Sequence, residues 1–88
     1  MDRFIITYDL RAPGRNYNDL YAALKSFPAW AQVAESSWVV HSNSNSSGIH
    51  DYIKRTVDAN DRVFVARLTG EAAWNSAISP EDQVRRAL

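Results

Sequence analysis

Residues 4–10 read Phe4-Ile5-Ile6-Thr7-Tyr8-Asp9-Leu10. Phe4 to Tyr8 are apolar, β-branched or aromatic, the residue types that fit a pleated and packed surface. Alternation sends Phe4, Ile6 and Tyr8 to one face and Ile5 and Thr7 to the other. Both faces suit burial, so a strand from Arg3 to Tyr8 is expected at the centre of a sheet. Asp9 then closes it, although a carboxylate is poor in strands and costly to bury without a partner. Two readings of Asp9 follow. It caps a turn through its side chain, or it presents charge at the strand end to a metal or ligand.

Working outward, Arg11-Ala12-Pro13-Gly14-Arg15-Asn16 reads as a loop, with Pro-Gly as its turn signal. Asn16 is the expected cap of a first helix and Asp19 sits near its positive end. Tyr17, Leu20, Tyr21, Leu24 and Phe27 then form one apolar helical face, and Pro28 stops the helix. Trp30 to Ser36 and Ser37 to Ser42 read as two short strands with a tight connection or bulge between them, or as one long bent strand. The polar run Ser42 to Gly48 is a loop whose last serines cap a second helix, with Ile49, Tyr52, Ile53, Thr56 and Val57 inward. Asp58-Ala59-Asn60-Asp61 is a turn. A last strand runs from Arg62 to Leu68, with Val63 and Val65 opposed to Phe64 and Ala66, and ends by Gly70. In the tail from Glu71 to Leu88, Ser79-Pro80-Glu81-Asp82 predicts a helix start with Ser79 as the cap, and Val84 and Leu88 as its apolar side. The order β-α-β-β-α-β with a C-terminal extension predicts a single α+β domain of the ferredoxin-like, split βαβ type. Its antiparallel sheet carries two helices on one face. The other face, or an edge strand, is left for the tail or a second subunit to cover.

A chain of 88 residues buries only ~60–65% of its unfolded surface, so dimerisation would help by hiding more apolar area. The absence of cysteine excludes a disulfide framework and thiolate metal sites. No apolar run is long enough to span a membrane, and Met1-Asp2-Arg3 lacks the opening of a signal peptide; a cytoplasmic location is expected. Ten basic residues balance ten acidic ones. Proteins that grip long nucleic acid draw most of their affinity from phosphate contacts and show a basic excess, so any basic surface here is local. A nucleotide, a short oligonucleotide or a cyclic nucleotide signal needs fewer charges than a long duplex.

The segments FIITYDL, PGRNYNDLYAALKSF, AESSWVVHS and DANDRVFVARLTGEAAW together resemble the small bacterial and phage proteins of the SinR family. Those in turn resemble the ferredoxin-like subunit of the CRISPR adaptation complex, the second Cas protein. The resemblance extends to about Trp74. It implies a homodimer in which the Asp after the Tyr of strand one, here Asp9, faces its twin across the dimer axis and holds a divalent cation for phosphodiester cleavage. The serine of the hairpin motif matches Ser36 or Ser37.

Asp9 is thus the candidate catalytic and metal-binding residue, with Mg2+ or Mn2+ as the implied cofactor. One carboxylate does not make such a site, but a two-fold axis doubles it. Two facing carboxylates favour a cation between them, which activates water and orients a phosphate. Arg11 and Arg15 flank the Pro-Gly turn ahead of the first helix, a placement suited to an anion and to bidentate phosphate contact. With Ser36 and Ser37 they form the candidate phosphate-binding set. The plainer alternative makes Asp9 a turn residue and the arginines solvated. Trp30, Trp38 and Trp74 read as core or interface rather than base-stacking platforms. His41 and His50 lack zinc spacing, and no P-loop, dinucleotide fingerprint or Ser/His/Asp set is present. Three functions remain open. The first is a homodimeric, metal-dependent nuclease-like or nucleic-acid-binding protein. The second is a non-catalytic dimer, phage or defence-related, that binds or sequesters nucleotides or cyclic oligonucleotide signals. The third is a protein-interaction module.

Overall fold

The computed structural model describes residues 1–12 and 14–88; Pro13, half of the expected Pro-Gly turn, lies outside the described residues. The elements run β1 (Asp2–Asp9), α1 (Asn18–Leu24), β2 (Trp30–Ala34), β3 (Ser37–Ser42), α2 (Ser46–Lys54), β4 (Arg62–Leu68) and α3 (Glu81–Ala87). The strands form one sheet in the order β2-β3-β1-β4, with each neighbouring pair antiparallel. The chain is therefore a small α+β fold with a four-stranded antiparallel sheet and three helices. β1 is central, as its two-sided apolar pattern predicts. It extends one residue further at each end than expected, so Asp9 lies inside the ladder, opposite Arg62.

One sheet face carries the main core. Phe4, Ile6 and Tyr8 of β1 and Trp38 and Val40 of β3 meet Leu20, Ala23 and Leu24 of α1 and Ile49 and Ile53 of α2. Each large apolar side chain buried there contributes roughly 1.5–3 kcal/mol. The two polar atoms in this layer satisfy each other: the Trp38 indole N–H donates to the Tyr8 hydroxyl at 3.1 Å. Burial pushes the Tyr8 phenol above its ordinary pKa, so it stays a neutral core group.

The second face is covered by the tail over its β2–β3 half. Val84 and Ala87 of α3 bury against Ala31 and Val39, with Trp74 and Leu88 packed around them. To reach this position the chain leaves β4 and turns at Gly70, where φ is +99°. That positive φ favours glycine, and a Cβ there would press only on the movable Arg3 guanidinium, at 3.3 Å.

Several local expectations are corrected. Asn16 does not cap α1. Its Oδ1 accepts the Asn18 N–H at 2.8 Å, a local Asx bond that places the helix start one residue later, at an N-cap of Tyr17. α1 ends at Leu24, before Pro28 is reached, and Tyr21 faces outward. β2 stops at Ala34 after a register irregularity between Gln32 and Ala34, which leaves Glu35-Ser36 as the turn. Asn45, rather than a serine, caps α2 by accepting the Gly48 N–H at 2.8 Å. Tyr52 of α2 is exposed, lying edge-on to Phe27. Ser79 is no cap: its Oγ accepts the Gln32 N–H, and its own N–H donates to the Gln32 carbonyl, both at 2.9 Å. Gln83 adds a bond to the Trp30 carbonyl at 3.0 Å. The tail thus closes the outer edge of β2, which removes an aggregation-prone row of free backbone groups.

Candidate functional site

Strand register builds the site. Thr7 lies opposite Phe64 and Ser37, and Asp9 lies opposite Arg62. Alternation puts all five side chains on the second sheet face, in the β1–β4 half that α3 leaves uncovered. The Asp9 carboxylate sits 2.8 Å from the Arg62 guanidinium and 3.6 Å from that of Arg11. All three side chains are about half exposed or more, and Phe64 beside them is 61% exposed. A shallow depression of about 190 Å3 runs between Thr7, Asp9, Arg62 and Phe64. Two guanidinium groups against one carboxylate leave a net positive charge next to an open aromatic ring.

Arg11 is held there by a latch from the α2–β4 turn. Its backbone N–H donates to Asp61 Oδ1 at 2.6 Å, and the Tyr17 hydroxyl donates to Asp61 Oδ2 at 2.9 Å. The Asp58 N–H donates to Oδ2 as well, at 2.8 Å. Desolvation opposes ionisation of Asp61, but the two N–H groups, the Tyr17 hydroxyl and the Arg15 charge outweigh it. They hold the carboxyl below the ordinary aspartate range. The same contact works in reverse on Tyr17, whose phenol is pushed up by desolvation and by the Asp61 carboxylate.

The expected site residues therefore divide. Asp9 and Arg11 come together. Ser37 joins the same face, with its Oγ 3.1 Å from Thr7 Oγ1. Ser36 lies in the hairpin turn, where its carbonyl accepts the Tyr8 N–H at 3.1 Å, which makes it a ladder residue. Arg15 is drawn away to Asp58 at 3.2 Å and over the Tyr17 ring at 5.5 Å. Arg62 and Phe64 were absent from the expected set, and they supply the closest cation and the aromatic surface.

Asp9 within a single chain does not fit a divalent cation. It offers a single carboxylate already neutralised by two guanidinium groups, which repel a metal and compete for the same oxygens. Among the described residues no group of three or more His, Asp or Glu side chains is placed to hold a metal ion. Larger depressions elsewhere are lined differently. One of about 720 Å3 between α1 and β2 sets Lys25 against Glu35, and one of about 390 Å3 is walled by tail residues 74–81 alone. No helix among the described residues is long and apolar enough to cross a membrane. No protein-family model matches the chain, and no solved structure matches it.

Proposed function

We propose that the protein is a ferredoxin-like homodimer, acting in the cytoplasm, that binds nucleotides or short single-stranded nucleic acid on its open half-face. The element order βαββαβ and the sheet order β2-β3-β1-β4 support the ferredoxin-like class, as does the resemblance to SinR-family and Cas adaptation proteins. The observation that carries the ligand is the exposed Phe64 ring beside Arg62, at a strand end where Arg62 and Arg11 together exceed Asp9 in charge. A base stacks on the ring, and a phosphate takes a guanidinium fork. A chain of zero net charge suits a ligand of few phosphates, a cyclic oligonucleotide included, better than a long duplex. In this reading the patch binds and orients its ligand.

Fluorescence anisotropy with a labelled single-stranded hexanucleotide and a labelled cyclic dinucleotide tests this reading. Phe64→Ala should weaken binding by about 1–3 kcal/mol per stacked base, roughly 5- to 150-fold in Kd. Its thermal midpoint should move little because the ring is largely exposed. Equal affinity in Phe64→Ala and wild type, or no binding of either ligand, overturns the proposal.

A further inference from the structure

The two edges of the sheet are treated differently. The tail closes the β2 edge through Ser79 and Gln83. Nothing among the described residues closes the β4 edge. The ladder specifies which groups are left open there. The Tyr8 N–H bonds to Ser36 on the β3 side, so in the alternating antiparallel pattern Phe4, Ile6 and Tyr8 point their backbone groups at β3, and Arg3, Ile5, Thr7 and Asp9 point theirs at β4. Their partners Leu68, Ala66, Phe64 and Arg62 are thereby satisfied. Val63, Val65 and Arg67 aim their N–H and C=O groups outward.

We infer that this edge pairs with β4 of a second copy of the chain, antiparallel, about a two-fold axis at Val65, giving one continuous eight-stranded sheet. The second copy is the fitting occupant because β4 is complementary to itself in that register. Val65 meets the second Val65 as a doubly hydrogen-bonded pair, and Val63 meets Arg67 in the same way, so every outward group gains a partner. On the open face Phe64 lies across from the small Ala66 of the second copy, which leaves room for the ring to lean over the seam. Like charge does not oppose the contact. Arg62 is ion-paired within its own chain to Asp9 at 2.8 Å and Arg67 to Asp2 at 3.7 Å, and in this register neither arginine faces another across the seam. The tail leaves the approach clear, since it departs at Gly70 past Arg3 toward β2. The arrangement brings the two Phe64 rings near each other about the axis. It holds the two Arg62 side chains about 20 Å apart along the strands, so the paired Asp9 residues cannot share one cation.

The inference specifies the dimer of the proposed function and is independent of its ligand. Amide hydrogen exchange followed by NMR, with light scattering on the same samples, tests it. The expected result is a species of twice the 9.9 kDa chain mass, in which the Val63, Val65 and Arg67 amides exchange on the order of 10-fold or more slower than on dilution to monomer. The amides of Phe64, Ala66 and Leu68, already bonded to β1, should be protected in both states. Val65→Pro removes an outward N–H without breaking the β1 ladder and should yield a folded monomer. A monomer at millimolar concentration overturns the inference, as does a dimer whose Val63, Val65 and Arg67 amides remain unprotected. The exchange result on the wild-type chain decides the matter even where Val65→Pro fails to fold. Oligonucleotide binding by a monomeric chain would leave the ligand reading standing while the edge pairing fell.

Discussion

Replacing Asp9 with asparagine sets the two chemistries for this strand end against each other. The carboxylate lies 2.8 Å from Arg62 and 3.6 Å from Arg11, with side-chain exposures of 49–68% across the three groups. Exposed ion pairs contribute about 0.2–1 kcal/mol each, and the longer contact belongs at the weak end. Asp9→Asn should therefore cost less than about 1 kcal/mol of stability. Its effect on an anion has the opposite sign. A phosphate seated on the guanidinium pair lies about 6 Å from the carboxylate, a repulsion of about 0.7 kcal/mol in a water-like dielectric. Removing it should tighten oligonucleotide binding about threefold at low salt. If the freed guanidinium takes a further phosphate, the slope of log K against log salt should steepen by about 0.7. Anisotropy titrations from low to moderate salt read both quantities. A metal-dependent phosphodiesterase predicts the reverse: Mg2+- or Mn2+-dependent cleavage of DNA or RNA that Asp9→Asn abolishes. Weaker binding in Asp9→Asn, or cleavage lost with it, refutes the reasoning given for this site.

Other perturbations test the scaffold. Leu20→Ala and Ile53→Ala each empty a fully buried position against β1 and β3, and each should cost about 2–5 kcal/mol in thermal or urea unfolding. Ser79→Ala leaves the Gln32 N–H without its acceptor at the edge of β2; a loss of about 1–3 kcal/mol is expected, with increased aggregation as the edge opens. Asp61 has a folded-state pKa below its unfolded value, so its contribution to stability is present above about pH 4 and is lost as pH falls through the folded pKa. Asp61→Asn should flatten the acid limb of the stability curve and weaken oligonucleotide binding by loosening Arg11. Tyr17 has the opposite shift, and its contribution should fade as pH rises above about 10.

The parts of this molecule legible in the sequence are those set by short-range pattern. β4 runs from Arg62 to Leu68 as expected because its apolar alternation is bracketed by a polar turn and Gly70. β1 reads as central because both of its faces are apolar or β-branched. The helices are present, but their starts shift where a nearby side chain offers the backbone a competing bond, as Asn16 does to Asn18. Ser79 carries every local mark of a cap, yet it bonds Gln32, 47 residues away; only the tertiary path of the tail reveals that. The site divides in the same way. Asp9 and Arg11 are two residues apart and stay together. Arg62 reaches Asp9 across a separation of 53 residues through a strand register that no local pattern encodes. Asp58 and Asp61 read as turn residues and do form one, but their carboxylates also capture Arg15 and anchor the Arg11 backbone. Long-range contacts thus decide which arginine stays beside Asp9.

If the open half-face between β1 and β4 is a cationic, aromatic nucleotide platform and not a metal centre, oligonucleotide binding there should not depend on a divalent cation. The measurement that tests it most directly is an NMR titration of isotope-labelled protein with a single-stranded hexanucleotide, run once with EDTA and once with Mg2+. Saturable shifts confined to Thr7, Asp9, Arg11, Arg62 and Phe64, equal in both conditions and with the oligonucleotide intact, are the predicted result. Shifts that require Mg2+, cleavage of the oligonucleotide, or shifts centred on α1, α2 or the tail would contradict the account.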